Sequence, residues 1–226
     1  MEHRTVRQPN RLRLTELLAV RMCHDLSGPL GTLMGALELA ADDPQMVGEA
    51  LPLAGDASSL LGKRLKLLRA AWGGGAGASG AEELASLAEG VQHGKRVAVD
   101  LSGLKGSGRF DPLVSRVALN LLMLGAESLP AGGVVSLSGD PQGDIVAVIT
   151  GPNAAWPPGL AGYLVDEQLA WRAVEEAEGL AASRTLQGPL TALIAHAAGV
   201  RLSMLMAASA QAVPPLVLSG GSSGSA

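Results

Sequence analysis

The 226-residue chain is long enough for one large domain or two modest ones, and its formal net charge of −4 offers no basic surface for nucleic acid. Its single cysteine, Cys23, excludes an intrachain disulfide and a cysteine-based zinc site. Hydrophobic residues make up 47% of the chain but aromatic ones only 2%, so we expect an aliphatic core. Because neither a signal peptide nor an apolar span of about 20 residues is evident, we expect a cytoplasmic protein without membrane contact.

A long first helix is predicted over about residues 11–40. Apolar residues recur along it at alternating three- and four-residue steps, at Ala19, Cys23, Leu26, Leu30, Leu33 and Leu37. This spacing indicates one helix face that packs on a partner. At about 100° per residue, His24 points away from that face and therefore towards solvent.

Three glycines follow His24 along its own side of this helix. Gly28, Gly31 and Gly35 stand four, seven and eleven residues after it. Each costs roughly 1 kcal/mol relative to alanine in a helix interior. Close approach by another protein surface is the reason we infer, so these glycines are a predicted docking surface.

A second helix is predicted to end near Trp72. Asp43 and Pro44 predict an N-cap followed by a proline at the first helical position. The inner face of this helix is predicted at Val47, Leu51, Ala54, Leu61, Leu65 and Leu68. The short connection predicts an antiparallel hairpin. Because two helices alone cannot bury their apolar face, we expect two copies to form a four-helix bundle in a homodimer.

Beyond this hairpin, the glycine-rich segment 73–80 has the composition of a flexible linker. The pattern then becomes mixed, with helices predicted near 81–91, 111–128, 159–180 and 188–198 and strands near 97–101, 134–138, 145–150, 200–206 and 215–218. We expect an α+β sandwich in which helices cover a mixed sheet. The serine- and glycine-rich tail, 219–226, is expected to be disordered.

His24 is the leading candidate for chemistry. A neutral imidazole is an available nucleophile in water, and phosphoryl transfer depends mainly on positioning and charge neutralisation. Arg21, three residues earlier, is expected to lie nearer to His24 than Asp25, which flanks the ring about 100° around the helix. The alternative for His24 is a solvated surface residue or a satisfied core histidine, and the alternative for Asp25 is a solvated carboxylate.

A basic cluster on the second helix is predicted opposite His24 when the chain folds back at the turn. Lys63, Arg64 and Lys66 could there screen a phosphoryl group or attract an acidic pocket on a partner. Alternatively, a basic run late in a helix suits the helix dipole and solvation. Both interpretations stay open on the sequence alone.

The segment that runs from Cys23 through His24 and Asp25 to Pro29 and Leu30 resembles the phosphoacceptor box of sensor histidine kinases. In that family the box lies on the first helix of a dimerising hairpin. The segments 116–122 and 130–134 resemble the asparagine box of the kinases' ATPase-type catalytic domain.

The nucleotide machinery of that catalytic domain is missing from this chain. Asn120 matches the first asparagine of the box, but Leu124 stands where the magnesium-binding asparagine belongs. Residues 150–154 replace the Asp-x-Gly-x-Gly motif, and the glycine-rich lid is reduced to residues 187–190. We therefore expect no ATP binding, no bound cofactor and no metal site.

An intact phosphoacceptor hairpin joined to a degenerate ATPase-like domain resembles the ChpT-type histidine phosphotransferases of bacterial cell-cycle phosphorelays, over roughly residues 14–218. The resemblance implies a dimerisation and phosphotransfer hairpin (1–72), a linker (73–80), a degenerate ATPase-like domain (81–218) and a tail (219–226). It also implies that a phosphoryl group passes from the receiver domain of a hybrid kinase to His24 and then to a response regulator. The receiver domains would bring Mg²⁺.

Two alternatives remain. An ATP-dependent histidine kinase would have to bind nucleotide, which calorimetry with an ATP analogue detects. A non-catalytic dimeric scaffold would bind response regulators with full effect even after His24→Ala. The sequence does not identify the donor kinase, the acceptor regulators or the direction of net phosphoryl flux.

Overall fold

The computed structural model describes residues 11–220, apart from 74–77, 79, 92–95, 106–108, 179–181, 208 and 210–211. The helices are α1 (Arg11–Asp42), α2 (Val47–Trp72), α3 (Ala81–Ala88), α4 (Pro112–Glu127), α5 (Leu160–Val165), α6 (Glu167–Glu175), α7 (Ala182–Thr185) and α8 (Gln187–Ala198). The strands are β1 (Val97–Leu104), β2 (Gly133–Gly139), β3 (Asp144–Thr150), β4 (Arg201–Met204) and β5 (Leu216–Ser219). None of the described helices combines the length and the hydropathy needed to cross a bilayer.

The connection between α1 and α2 differs from the predicted capped start. The side chain of Asp43 accepts a hydrogen bond from the backbone N–H of Gln45 at 2.8 Å, which makes a local turn rather than a helix cap. Pro44 lies in that turn, and α2 begins only at Val47, after Met46, which makes no side-chain cap. The predicted N-cap and first-turn proline were therefore wrong.

The two hairpin helices meet through small side chains. On α2, the buried residues are Ala50, Ala54, Ala57, Arg64, Leu67, Leu68 and Ala71. Leu51 and Leu65, which were predicted to face inwards, are instead 53% and 46% exposed. Ala50, Ala54 and Ala57 let the helices approach closely, whereas Leu51 and Leu65 lie on the outer surface of the hairpin.

The C-terminal half has the predicted α+β architecture. The described strands form one five-stranded sheet in the order β1-β2-β3-β5-β4. β1 and β2 are parallel, and the remaining pairs are antiparallel. Helix α4 lies so close to the sheet that a Cβ on Gly125 would be 2.6 Å from Val135 Cγ1. Its predicted cap is confirmed, because Asp111 accepts from the N–H of Leu113 at 2.7 Å.

Two regions depart from the predicted pattern. The single helix predicted near 159–180 is divided into α5 and α6 at Asp166, whose extended backbone stops α5 and whose side chain caps α6. Helix α7 was not predicted. Strand β5 includes Ser219, the first residue of the predicted tail. Residues 221–226, and most of the predicted linker, lie outside the described residues.

The base of the hairpin, where α1 begins and α2 ends, is packed against the C-terminal half. Leu67, Leu68 and Ala71 of α2 belong to the main hydrophobic core with α4 and the sheet. Leu17 of α1 belongs to a second apolar cluster that includes Val174 of α6 and residues of α8. These contacts fix the hairpin to the C-terminal half at its base, close to the level of His24.

Candidate functional site

His24 lies on the outside of α1 with its side chain 57% exposed. Its exposure follows from the helical periodicity, because the residues of α1 that face inwards here are Leu17, Arg21 and Asp25. The imidazole is therefore accessible to another molecule, as the sequence predicted.

Asp25, the next residue, has the opposite environment. Its side chain is only 3% exposed, and it accepts hydrogen bonds from Arg21 Nε at 3.0 Å and from a terminal nitrogen of Arg64 at 2.7 Å. Burial opposes the charged form, but the two guanidiniums outweigh it and hold the pKa of the Asp25 carboxyl below its usual value. Asp25 is therefore a buried anion and not a solvated surface carboxylate.

The ion pairs of Asp25 extend into the C-terminal half. Arg21 also donates a hydrogen bond to the Glu127 carboxylate at the end of α4, and Arg64 donates to the Gly90 carbonyl just after α3 at 2.9 Å. Burial opposes the charge on Arg21, but Glu127 and Asp25 hold the pKa of its guanidinium above its usual value. A connected set of charges thus joins α1, α2 and α4.

His24 and Asp25 are in contact through their side chains. Nδ1 of His24 lies 3.4 Å from Oδ1 of Asp25, which is longer than an ordinary N–H···O hydrogen bond of about 2.7–3.2 Å. An imidazole that donates from Nδ1 to a carboxylate keeps its proton on that nitrogen and carries its lone pair on Nε2. The arrangement therefore suits His24 to act as a nucleophile through Nε2.

The predicted supporting cations are placed differently from expectation. Arg21 pairs with Asp25 and Glu127, and it is the Asp25 carboxylate that lies against the His24 ring. Arg64 is buried against Asp25, so it does not face solvent as a screen for a phosphoryl group. Lys63 is exposed and pairs with Glu89 at 3.0 Å, and Lys66 is exposed. The basic run therefore divides into one internal and two surface side chains.

The predicted glycine surface is open. A Cβ built on Gly28, Gly31 or Gly35 would meet nothing within 4 Å. No packing within the described part of the chain therefore requires glycine at these positions, although a helix interior favours other residues.

Asn120, the residue that resembles a nucleotide-site asparagine, lies inside the protein. Its Nδ2 donates to the carbonyls of Ala71 at 3.2 Å and Arg116 at 2.9 Å. Its Oδ1 accepts from Trp72 Nε1 at 3.0 Å and Gln187 Nε2 at 3.2 Å. The amide is thus used to join α2, α4 and α8. Across the described residues, no cluster of three or more His, Cys, Asp or Glu side chains could hold a metal ion.

Sequence reasoning missed Glu127 and the carbonyl of Gly90. Both partners are distant along the chain, since Glu127 is 106 residues from Arg21 and Gly90 is 26 residues from Arg64. The i,i+4 spacing of Arg21 and Asp25 was the available local signal for an ion pair. Nothing local identified the partners on the other elements.

Comparisons with known proteins agree with this architecture. The family model described as the histidine phosphotransferase C-terminal domain matches residues 81–210, which is more than half of the chain. A search of curated proteins found no significant match. Among solved structures, a bacterial phosphotransferase determined at 1.7 Å is 22% identical with a TM-score of 0.67, over 92% of this chain and 95% of that chain.

A second solved structure, full-length ShkA in complex with AMPPNP, is 15% identical with a TM-score of 0.35, over 90% of this chain and 44% of that chain. That similarity is too low to support an argument. The bacterial phosphotransferase shares the fold, and the family model identifies the C-terminal half. The chain therefore belongs to the histidine phosphotransferase family, in agreement with the ChpT-type resemblance of its sequence.

Proposed function

We propose that the protein relays a phosphoryl group between receiver domains through a phosphorylated His24. The donor is a phospho-aspartyl receiver domain of a hybrid histidine kinase, and the acceptor is the receiver domain of a response regulator. The single observation that carries the proposal is the exposed imidazole of His24 with its Nδ1 against the buried anion Asp25. Membership of the histidine phosphotransferase family supports the class of reaction.

The chemistry proceeds by direct displacement. The lone pair on Nε2 of His24 forms a bond to phosphorus as the bond from phosphorus to the aspartyl oxygen breaks, and the aspartate leaves as a carboxylate. Because the ring keeps its proton on Nδ1, it becomes positively charged, and the Asp25 carboxylate stabilises that charge. The reverse displacement by a second receiver's aspartate regenerates His24. The receivers supply Mg²⁺.

The active form is a homodimer in which two hairpins form a four-helix bundle. On α1, the exposed apolar side chains of Leu30, Met34 and Leu37 lie on a different side of the helix from His24 and the glycine surface, and α2 exposes Leu51, Leu53, Leu60 and Leu65. Exposed apolar surface of this extent is typical of an interaction site. A second hairpin would cover it with the same kinds of side chain.

The receiver docks along the glycine surface of Gly28, Gly31 and Gly35. These positions lie on the helix side that carries His24, and the space above them is empty. Without side chains to hold it away, a helix of the receiver can approach the α1 backbone and bring its phosphoryl group in line with Nε2. Receiver docking would account for glycines that packing within the described part of the chain does not explain.

The C-terminal half supports docking and does not bind ATP. Its Asn120 amide is occupied by four hydrogen bonds to Ala71, Arg116, Trp72 and Gln187. Leu124 is buried, and its aliphatic side chain has no oxygen to offer a metal ion. These features argue against the ATP-dependent kinase, and no contact in the described chain favours the pure scaffold.

The test is acceptance of radiolabel from a phosphorylated receiver domain. His24→Ala is expected to abolish labelling while light scattering still reports a dimer. His196→Gln is the matched control, because that histidine contacts the Tyr163 carbonyl in the C-terminal half, and it should label normally. Labelling of the His24→Ala variant would contradict the assignment, and a wild-type protein that binds the receiver but takes no label would be a scaffold.

A further inference from the structure

Four alternating charges connect the end of α4 to the residue beside His24. Arg21 lies between the carboxylates of Glu127 and Asp25, and Asp25 lies between the guanidiniums of Arg21 and Arg64. The set draws on three helices, because Arg21 and Asp25 belong to α1, Arg64 to α2 and Glu127 to α4. We call these four residues the charge chain.

Burial makes the members of the charge chain depend on one another. The side chains of Arg21, Asp25 and Arg64 are nearly inaccessible to water, while Glu127 is 30% exposed. Where water does not screen or solvate a charge, removing its partner leaves it uncompensated. Arg21 therefore depends on Glu127 as well as on Asp25.

A single carboxylate oxygen, Oδ1 of Asp25, contacts both Arg21 and His24. Oδ1 of Asp25 accepts from Arg21 Nε at 3.0 Å, and the same Oδ1 is the atom that lies 3.4 Å from His24 Nδ1. Arg21 thus holds this oxygen directly, while Arg64 holds the other oxygen of the carboxylate, Oδ2, at 2.7 Å. Arg21 in turn is held at its terminal nitrogen by Glu127.

We propose that Glu127 is a positioning residue for phosphotransfer, which acts through Arg21 to hold Asp25 Oδ1 against Nδ1 of His24. Glu127 makes no direct contribution to the reacting atoms. It keeps the His24 ring in the form with its proton on Nδ1 and its lone pair on Nε2. The inference rests on the proposed function of His24.

The proposal gives the C-terminal half a second role. Glu127 is the last residue of α4, the helix that packs against the sheet. The C-terminal half therefore influences the reactivity of His24 through Glu127, Arg21 and Asp25, in addition to any contact that it makes with a receiver. A hairpin without α4 would keep His24 and Asp25 but lose this support.

The experiment uses Glu127→Gln, which removes the charge and keeps the size. In the full chain, the rate of phosphotransfer within the receiver complex should fall roughly three- to tenfold, below the roughly 10- to 100-fold effect of removing a direct partner of a metal-bound histidine. The receiver concentration at half-maximal rate should stay unchanged. ¹⁵N chemical shifts of the unphosphorylated His24 ring should show a smaller Nδ1–H population.

Glu89→Gln is the matched control, because Glu89 forms an exposed pair with Lys63 outside the charge chain. It makes the same charge change and should leave the rate and the ¹⁵N shifts as in the wild type. Glu127→Asp, which keeps the carboxylate at shorter reach, should lie between Glu127→Gln and the wild type.

Three outcomes would overturn the proposal. They are wild-type rate and ¹⁵N shifts in Glu127→Gln, an equal slowing in Glu89→Gln, or loss of receiver affinity without a change at the His24 ring. Failure of both Glu127 variants to fold would also overturn it, because the role would then be structural. The ¹⁵N measurement needs no phosphate, so it remains informative even if His24→Ala shows that His24 is not the acceptor.

Discussion

The two ends of the helical hairpin differ in how far their side chains are buried within the chain. At the base, Leu17 and Leu67 are buried by the C-terminal half, and the charge chain occupies the same level. Beyond Asp25, Ala36 is the one remaining buried residue of α1. The outer part instead carries exposed leucines and glycines with empty space above them.

The base is therefore determined by contacts within the chain, whereas the outer part is suited to contacts with other molecules. His24 and Asp25 lie where the two parts meet. One of these consecutive residues is exposed and the other is buried, so the site combines access for a partner with support from the fold. Substitutions at the base should therefore change the stability of the fold, whereas substitutions in the outer part should change dimerisation and receiver binding.

The largest effect is expected at the base, from Asp25→Asn. The change leaves Arg21 and Arg64 buried without their shared carboxylate, and Arg64 Nε already has no hydrogen-bond partner among the described residues. Removing one member of a buried ion pair destabilises a protein by about 3–5 kcal/mol. Urea unfolding at neutral pH should report a loss of that order. Asp56→Asn, at an exposed position of α2, is the control.

The same pair of proteins should show a defined pH dependence. Because the pKa of Asp25 is lowered in the folded state, its stabilising contribution is complete above the unfolded value and is lost as pH falls through the folded value. The stability gap between wild type and Asp25→Asn should therefore be constant near neutral pH and shrink in acid, below pH of about 4. A gap that shrank as pH rose would contradict this origin.

An intermediate effect is expected on the outer apolar surface, from Leu37→Glu. Leu37 is 49% exposed in the single chain, so the substitution should leave the fold intact, but the dimer would have to bury the new charge. Self-association should weaken by about 100-fold, as measured by sedimentation at increasing concentration. Val165→Glu, which alters an exposed valine outside the hairpin, should not change it. Equal dimerisation in all three proteins would place the dimer interface elsewhere.

The smallest effect is expected from Gly31→Leu. Leucine fits without intrachain contact within 4 Å and is the better helix former by up to about 1 kcal/mol, so the thermal midpoint should rise slightly. Receiver affinity should nevertheless fall by about tenfold because the side chain blocks close approach. Gly48→Leu, at an equally open position near the turn, should raise the midpoint without weakening receiver binding. Unchanged affinity in Gly31→Leu would remove the glycine surface from the docking site.

Much of the fold could be predicted because local patterns decide it. The 3.6-residue periodicity placed both hairpin helices, and Asp111 with Pro112 placed the start of α4. The mixed sheet followed from short apolar runs between turn residues. The start of α2 was predicted wrongly at Asp43 and Pro44 because the same residue types favour both turns and helix starts.

The inner face of the hairpin and the support of the site could not be predicted in this way. Periodicity does not distinguish an apolar face that packs within the chain from one that is left exposed, so Leu51 and Leu65 were assigned to the wrong side. Burial of Asp25 depends on Arg64 and Glu127, which reach it only after the helices and the sheet have assembled. The exposure of His24 was predicted, but from a different inner face of α1. The helix faces inwards at Leu17, Arg21 and Asp25, whereas Cys23 and Leu30 of the predicted face are exposed.

Anchoring at one end has a mechanical consequence for the hairpin. His24 stands about 10 Å along α1 from the anchored Leu17 and about 27 Å from the last residue of that helix, Asp42. If the hairpin bends about its anchored base, the distal turn between α1 and α2 moves furthest. His24, which lies close to the base, moves much less. Under the proposed function, receiver domains of different shape would displace the distal segment of the hairpin while the imidazole of His24 stays nearly in place.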